Sequence, residues 1–294
     1  MLRREARVSL GAGFSARGLK QFMKKPFERG IYLLPNLMTT AALFAGFYAV
    51  IAGMQGNFEQ GAIAIFIAMV FDGLDGRIAR MTNSSSAFGA EYDSLSDMVS
   101  FGLAPALLMY QWALTDFGKL GWLAAFIYTA GAALRLARFN TQVGVADKRY
   151  FQGLPSPAAA AVLAGLVWMV ENDHMHDTYI PVLALFLTVF TGLMMVSNFR
   201  FHSFKEVNLK GKVSFLTLLV GVLVLVVVSL KPAMILFSTL FLYAFSGPIL
   251  TLATLRVRRE ERRQQREAEE LSKVFSESEE VADETKSSST KESN

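Results

Sequence analysis

Repeated unbroken apolar runs constrain this chain more than any other feature. Ala41–Ala52, Ala62–Phe71, Ile180–Val196 and Phe215–Leu230 contain no charged residue. With their flanks they approach the ~20 residues that cross a hydrocarbon core of roughly 30 Å at about 1.5 Å rise per residue. A soluble domain of 294 residues has no need of such runs. The charge content agrees: 18% of residues are charged, against about 25% in ordinary soluble domains. The absence of cysteine excludes a disulfide framework, a thiolate metal site and a cysteine nucleophile.

The apolar stretches and their basic punctuation predict an all-α, polytopic membrane helix bundle of about eight spans. These lie at 31–53, 59–80, 89–114, 120–141, 155–171, 179–197, 213–230 and 232–254. The connections Met54–Phe58, Thr115–Lys119, Glu171–Thr178 and Lys231-Pro232 are short and nearly free of cationic side chains. All but Lys119 and Lys231 of the 29 Lys and Arg residues fall on the opposite side. By the positive-inside rule both termini are expected in the cytoplasm. Trp112 and Trp122 read as anchors in an external interfacial belt.

Three regions follow from this patterning. Residues 1–30 form a basic segment without a signal-peptide pattern; within it Ser15–Glu28 reads either as an interfacial amphipathic helix or as a basic tail. Residues 31–254 are the membrane domain. Residues 255–294 begin with a basic juxtamembrane stretch, Arg256–Arg266, suited to anionic headgroups. Glu267–Asn294 carries nine acids against three lysines, a composition that reads as disordered. With a net of +4 overall and −6 in that tail, residues 1–266 carry +10. Bilayer-flanking cations explain this surplus, so no nucleic-acid partner is expected.

The acids are crowded. Of the fourteen before Arg256, five fall within 26 positions: Asp72, Asp75, Glu91, Asp93 and Asp97. A carboxylate at membrane depth costs about 2.5–3.5 kcal/mol on insertion scales, and four together repel one another. Asp72 and Asp75 are spaced i,i+3, and Asp93 and Asp97 i,i+4, so each pair projects from one face of its helix. Two such helices face to face would converge four carboxylates, an all-oxygen set suited to Mg²⁺, Mn²⁺ or Ca²⁺. Gly73, Gly76 and Gly89 leave room beside them, and Arg77 and Arg80 place positive charge at the edge. Metal plus arginine is the combination that neutralises phosphate oxygens. The other readings of such acids are interhelical salt bridges, with Arg135 and Arg138 as partners, or the relay of a cation or proton transporter.

The string Asp72-Gly-Leu-Asp75-Gly76-Arg-Ile-Ala79-Arg80, followed by Gly89, Asp93 and Asp97, resembles the signature of the CDP-alcohol phosphatidyltransferases, D-x2-D-G-x2-A-R-x8-G-x3-D-x3-D. All eight fixed positions match. The resemblance implies a two-metal enzyme using Mg²⁺ or Mn²⁺, with Asp72, Asp75, Asp93 and Asp97 as metal ligands and Asp97 also as general base. It implies CDP-lipid contacts at Gly76, Ala79 and Arg80, and, on shorter matches, at Asn36, Thr39 and Ser86. Membrane lipids and a second copy in a homodimer are the implied partners.

The signature leaves the acceptor alcohol open. Arg135-Leu-Ala-Arg138-Phe-Asn140 and Phe151-Gln-Gly153-Leu-Pro155-Ser156-Pro157 resemble segments of membrane-integral bacterial and archaeal phosphatidylserine synthases. That resemblance implies CDP-diacylglycerol and L-serine as substrates and an active site facing the cytoplasm from the bacterial inner membrane. Arg135 and Arg138 are then the expected partners of the serine carboxylate; the alternative is that they are ordinary positive-inside anchors. Glycerol 3-phosphate, inositol phosphate and choline are the other acceptors that the same chemistry would serve. His174 and His176 sit in an opposite-side loop, so no histidine metal site is expected.

Overall fold

The computed structural model describes residues 33–82, 84, 86–142, 150–175, 177–202, 215–251, 259–260 and 263–265. Ser15–Glu28, most of Arg256–Arg266, the acidic tail and His176 lie outside them. The described residues form helical rods joined by short connections, as a bilayer demands: a helix satisfies its own backbone hydrogen bonds. The first two rods are α1 (Leu33–Met54) and α2 (Phe58–Met81). The third is continuous but irregular. It runs through α3 (Ala87–Asp97), a π-helical segment Met98–Leu103, α4 (Ala104–Met109), a second π segment Tyr110–Leu114 and a 3₁₀ turn Thr115–Phe117. Then come α5 (Lys119–Gln142), α6 (Ser156–Asn172), α7 (Ile180–Val196), α8 (Phe215–Leu230) and α9 (Pro232–Thr251).

Four of these rods, Leu33–Met54, Ala87–Phe117, Lys119–Thr141 and Pro232–Thr251, are long and apolar enough to cross a membrane, and α6, α7 and Leu219–Leu230 are shorter apolar helices. The chain is therefore an integral membrane protein. α2, at 24 residues, is long enough but carries Glu59, Asp72, Asp75, Arg77 and Arg80 along its length. A helical bundle with one small addition is the result. β1 (Tyr150–Gln152) and β2 (Arg200–His202) pair antiparallel, Phe151 opposite Phe201, as a two-stranded ribbon outside the rods.

Small residues set the packing. α1 buries Ala42, Ala45, Gly46, Ala49 and Ala52 along one stripe, and α2 answers with Gly61, Ala62, Ala64 and Ala68. In lipid the helices gain no hydrophobic free energy by leaving water for one another, so close van der Waals approach carries the association. At Gly46 a Cβ would lie 2.7 Å from the Ser100 Cα, and at Gly192 it would lie 2.8 Å from the Tyr128 Cα. The first contact locks α1 to the third rod; the second locks α5 to α7. Two tryptophans expected in one belt part company. Trp122 is half-exposed, whereas Trp112 packs against the core and donates its indole N–H to Glu171 Oε1 at 2.7 Å.

The third rod changes pitch at a specific place. Pro105 has no N–H to return to the carbonyl of Phe101, four residues earlier. That carbonyl instead accepts from Tyr128 Oη at 2.9 Å, and Tyr128 and Phe101 are both fully buried. The π segment before it begins directly after Asp97. π-bulges of this kind recur at functional sites.

These contacts predict a clear difference between two glycines. Gly192→Ala drives a Cβ into the α5 backbone and is expected to destabilise by about 1–3 kcal/mol, the usual cost of overpacking. Gly221→Ala, in α8, meets nothing within 4 Å and is expected to leave stability unchanged or slightly higher. Thermal unfolding of both variants in detergent, followed by tryptophan fluorescence, measures the difference.

Candidate active site

The carboxylates come together where α2 and α3 face each other. Asp72, Asp75 and Asp93 each present an oxygen within 4.8 Å of the others. Asp75 is buried and the other two are partly so. Asp97, one turn beyond Asp93, faces Asp72 at hydrogen-bonding range. The helical spacing in the sequence thus brings all four to one region, with three forming the tight set.

α1 and the third rod hold this arrangement through hydroxyls. Thr39 Oγ1 donates to Asp75 Oδ2 at 2.6 Å and also lies 3.1 Å from the Pro35 carbonyl. Ser96 Oγ donates to the Thr39 carbonyl at 3.1 Å, and Ser100 Oγ to that of Ala42 at 3.1 Å. Ser96 and Ser100 are one turn apart, so a single face of the third rod is stitched to α1. Thr40 Oγ1 sits 2.9 Å from Tyr92 Oη, next to Asp93. Thr39, expected at a nucleotide contact, has its hydroxyl committed to Asp75.

The remaining expected residues lie around this cluster. Ser86 is the N-cap of α3 and accepts from the Gly89 N–H at 3.0 Å, as capping hydroxyls do. Asn36 approaches the same turn: a Cβ on Gly89 would lie 3.4 Å from Asn36 Oδ1 and 3.1 Å from Ser86 Oγ. The Arg80 guanidinium folds back over Gly76, 3.6 Å from where a Cβ would stand. Ala79 is half-buried on the same helix and its carbonyl accepts from the Ser84 N–H at 3.1 Å, closing the turn after α2.

Two arginines of α5 occupy the neighbouring wall. Arg135 Nη1 donates to the fully buried Ser156 Oγ at 2.8 Å, and its Nε is buried with no hydrogen-bond partner. Arg138 Nη1 donates to Asn198 Oδ1 at 3.3 Å. Ser156 is delivered by Gly153-Leu154-Pro155. Gly153 adopts φ +79° and donates to the Phe199 carbonyl, while the Leu154 N–H reaches that of Met194. The ribbon β1–β2 thereby fixes the start of α6 against the end of α7. Lys231 Nζ lies 4.0 Å from Asp173 Oδ1 on the opposite side. Among the described residues no ion pair within 4.0 Å joins Arg135 or Arg138 to an aspartate.

Several contacts had no sequence signal strong enough to single them out. The Asn140 amide donates to Ser94 Oγ at 3.0 Å and so ties the end of α5 to the residue after Asp93. The Phe88 and Tyr92 rings stack over one turn of α3, their centroids 5.9 Å apart. Serines at 94, 96 and 100 near two aspartates were the available hint.

The donor set fits a hard divalent cation. It consists of carboxylate oxygens from two helices, none in an ion pair within 4.0 Å of a described Lys or Arg, and Asp93 Oδ1 is buried without a hydrogen-bond partner. Such a group is costly unless something of opposite charge meets it.

A membrane-embedded helical bundle with a carboxylate centre at one end defines the class. The sequence profile of the CDP-alcohol phosphatidyltransferase family matches residues 32–194, more than half of the chain, and the chain belongs to that family. It is 36% identical over 189 residues to the CDP-diacylglycerol–serine O-phosphatidyltransferase of Helicobacter pylori, covering 64% of this chain and 80% of that protein. It is 31% identical over 170 residues to the archaetidylserine synthase of Methanothermobacter thermautotrophicus, 57% and 69% of the two chains. Among solved structures, the phosphatidylinositol phosphate synthase of Mycobacterium tuberculosis with CDP-DAG bound aligns at a TM-score of 0.44 and 19% identity, covering 58% of this chain and 88% of that one.

Thr39→Val removes the hydroxyl from Asp75 while conserving shape. It is expected to raise the divalent-cation concentration needed for half-maximal activity by about 10–100-fold, the usual cost of losing a group that orients a metal ligand. Mn²⁺ titration of turnover measures this.

Proposed function

We propose that this phosphatidyltransferase uses CDP-diacylglycerol and L-serine to make phosphatidylserine and CMP. The observation that carries the reading is the convergence of Asp72, Asp75 and Asp93 on one point, with Asp97 beside them, in a chain whose relatives are serine phosphatidyltransferases. In this reading the chain crosses the bacterial inner membrane eight times, residues 31–254 forming the enzyme. Both termini and the site face the cytoplasm, and the protein works as a homodimer.

Asp72, Asp75, Asp93 and Asp97 would hold two Mg²⁺ or Mn²⁺ ions. When bound, these supply positive charge that offsets the diphosphate and the charge developing on the departing CMP. The protein's own groups do the rest. Gly76 and Ala79 leave space beside the aspartates for the CDP moiety, and Arg80 places its guanidinium on the diphosphate. Asn36 from α1 and Ser86 from the turn before α3 face the nucleotide, and Thr39 acts by holding Asp75. Arg138 and Arg135 bind the serine carboxylate, the latter oriented by Ser156. Asp97 accepts the proton of the serine hydroxyl. The freed oxygen attacks the β-phosphorus that carries the lipid, the bond from that phosphorus to the bridging oxygen breaks, and CMP leaves.

The direct test supplies the purified protein with Mn²⁺ and CDP-diacylglycerol and offers each alcohol in turn. CMP release is expected with L-serine. Release with glycerol 3-phosphate, inositol phosphate or choline instead would reassign the acceptor. No release with any of them would reject the reaction.

Two substitutions probe individual roles. Asp97→Asn is expected to fold normally and lower kcat by at least 100-fold, the scale of a lost general base; near-normal turnover would remove Asp97 from that role. Arg138→Ala is expected to raise the KM for serine about 10-fold or more while leaving the KM for the CDP-lipid close to that of the parent protein, given the ~1.5–3 kcal/mol worth of a charge-assisted hydrogen bond. Steady-state kinetics in both substrates separates these outcomes.

A further inference from the structure

A groove of about 820 Å³ runs between α1 and α2 on the outer, lipid-facing side of the bundle. Its walls are Met38, Ala41, Phe44, Ile63, Ile67 and Phe71. The floor is made by Ala45 and Ala64, which are buried. One end opens at the carboxylate site. There Thr40 lines the groove while contacting Tyr92, and Phe71 directly precedes Asp72. At the other end Tyr48 Oη donates to Gln60 Oε1 at 3.0 Å, a hydrogen bond that bridges the two helices across the groove.

We propose that this groove receives one acyl chain of the CDP-lipid and that the Tyr48–Gln60 bridge sets the chain length it accepts. The inference rests on the reading that the site binds a CDP-lipid, and it adds the element that measures the tail. The wall runs from residue 37 to 48 on α1 and from 71 back to 60 on α2. Both are eleven-residue intervals, or about 16 Å at the helical rise. An extended hydrocarbon chain with bonds of about 1.5 Å and angles near 111° advances about 1.25 Å per carbon. The groove therefore holds about 13 carbons before the chain meets the bridge. A hydrocarbon chain suits the lining: apart from Thr40 at the mouth and the bridge at the far end, the surface is apolar. With a phosphoryl group among the aspartates, the acyl chains would begin close to the end of the groove marked by Thr40 and Phe71.

The test has two parts. A CDP-diacylglycerol carrying a diazirine near acyl carbon 12 is bound to the full chain in nanodiscs and photolysed, with no acceptor alcohol needed. Labelling is expected in the α1 segment around Phe44–Tyr48 and the α2 segment around Gln60–Ile67. Labelling concentrated on other helices would overturn the proposal even if turnover with serine is normal. If no CMP is released with any alcohol, the labelling still decides the groove by itself.

In the second part CMP release is measured with CDP-lipids whose chains run from 8 to 20 carbons. Ile63→Trp narrows the groove about 12 Å from its mouth, beyond the reach of an 8-carbon chain, and is expected to raise the KM for 16-carbon substrates about 10-fold while leaving 8-carbon substrates nearly unaffected. Tyr48→Ala removes the stop and is expected to move the optimum about two to four carbons longer. Equal effects of Ile63→Trp at all lengths would overturn the assignment. So would an unchanged length profile accompanied by an altered oligomeric mass, which would make the groove a surface for a second copy of the chain.

Discussion

Mutual repulsion among carboxylates in a poorly solvated bundle is the constraint around which this structure is organised. In water such charges are screened; between helices in a membrane their interaction is several times stronger. Asp72, Asp75 and Asp93 nevertheless lie within 4.8 Å of one another. The surrounding chain meets them with hydroxyl hydrogen bonds rather than direct ion pairs among the described residues. Thr39 bonds Asp75, Ser96 bonds the backbone of Thr39, and the arginines of α5 stand off from the aspartates. An arrangement held by neutral donors leaves the negative charge available. That is the requirement for a centre whose business is to gather cations and a diphosphate, and a set of internal salt bridges would defeat it.

The same need explains the small residues. Hydroxyls are short, so Thr39 reaches Asp75, and Ser96 reaches α1, only if the helix axes come close. The alanines and glycines along α1 and α2 permit that approach, and Gly46 admits Ser100. Stability and site geometry are thus served by the same contacts. A bulkier residue in the seam would spread the carboxylates as well as loosen the bundle.

Much of this was legible in the sequence. The rods at 33–54, 58–81, 156–172 and 180–196 fall within about two residues of the expected limits, because lipid leaves helices as the economical way to satisfy the backbone. The i,i+3 and i,i+4 spacing of the aspartates gave their convergence for the same geometric reason. What stayed hidden depends on tertiary contact. The π segments arise inside an apolar run with helical periodicity on both sides. The ribbon joins Tyr150–Gln152 to a strand some fifty residues away, a pairing that no local pattern announces. The Asn36-Leu-Met-Thr39 string marks Thr39 for the site, but its hydrogen bond to Asp75 depends on how α2 is placed against α1. Ser94 with Asn140, and Thr40 with Tyr92, are pairs of common residues whose meaning comes from being adjacent in space.

The carbonyl that Pro105 leaves without a helical donor is a joint in the third rod, and Tyr128 is the bolt through it. Tyr128 lies two turns before Arg135 on the same face of α5, and Phe101 lies one turn after Asp97. Fastened at that joint, the two helices transmit any displacement of one directly to the other. Asp97 and Arg135 are thereby set on one frame, and the Ser96 and Ser100 hydroxyls extend that frame to α1.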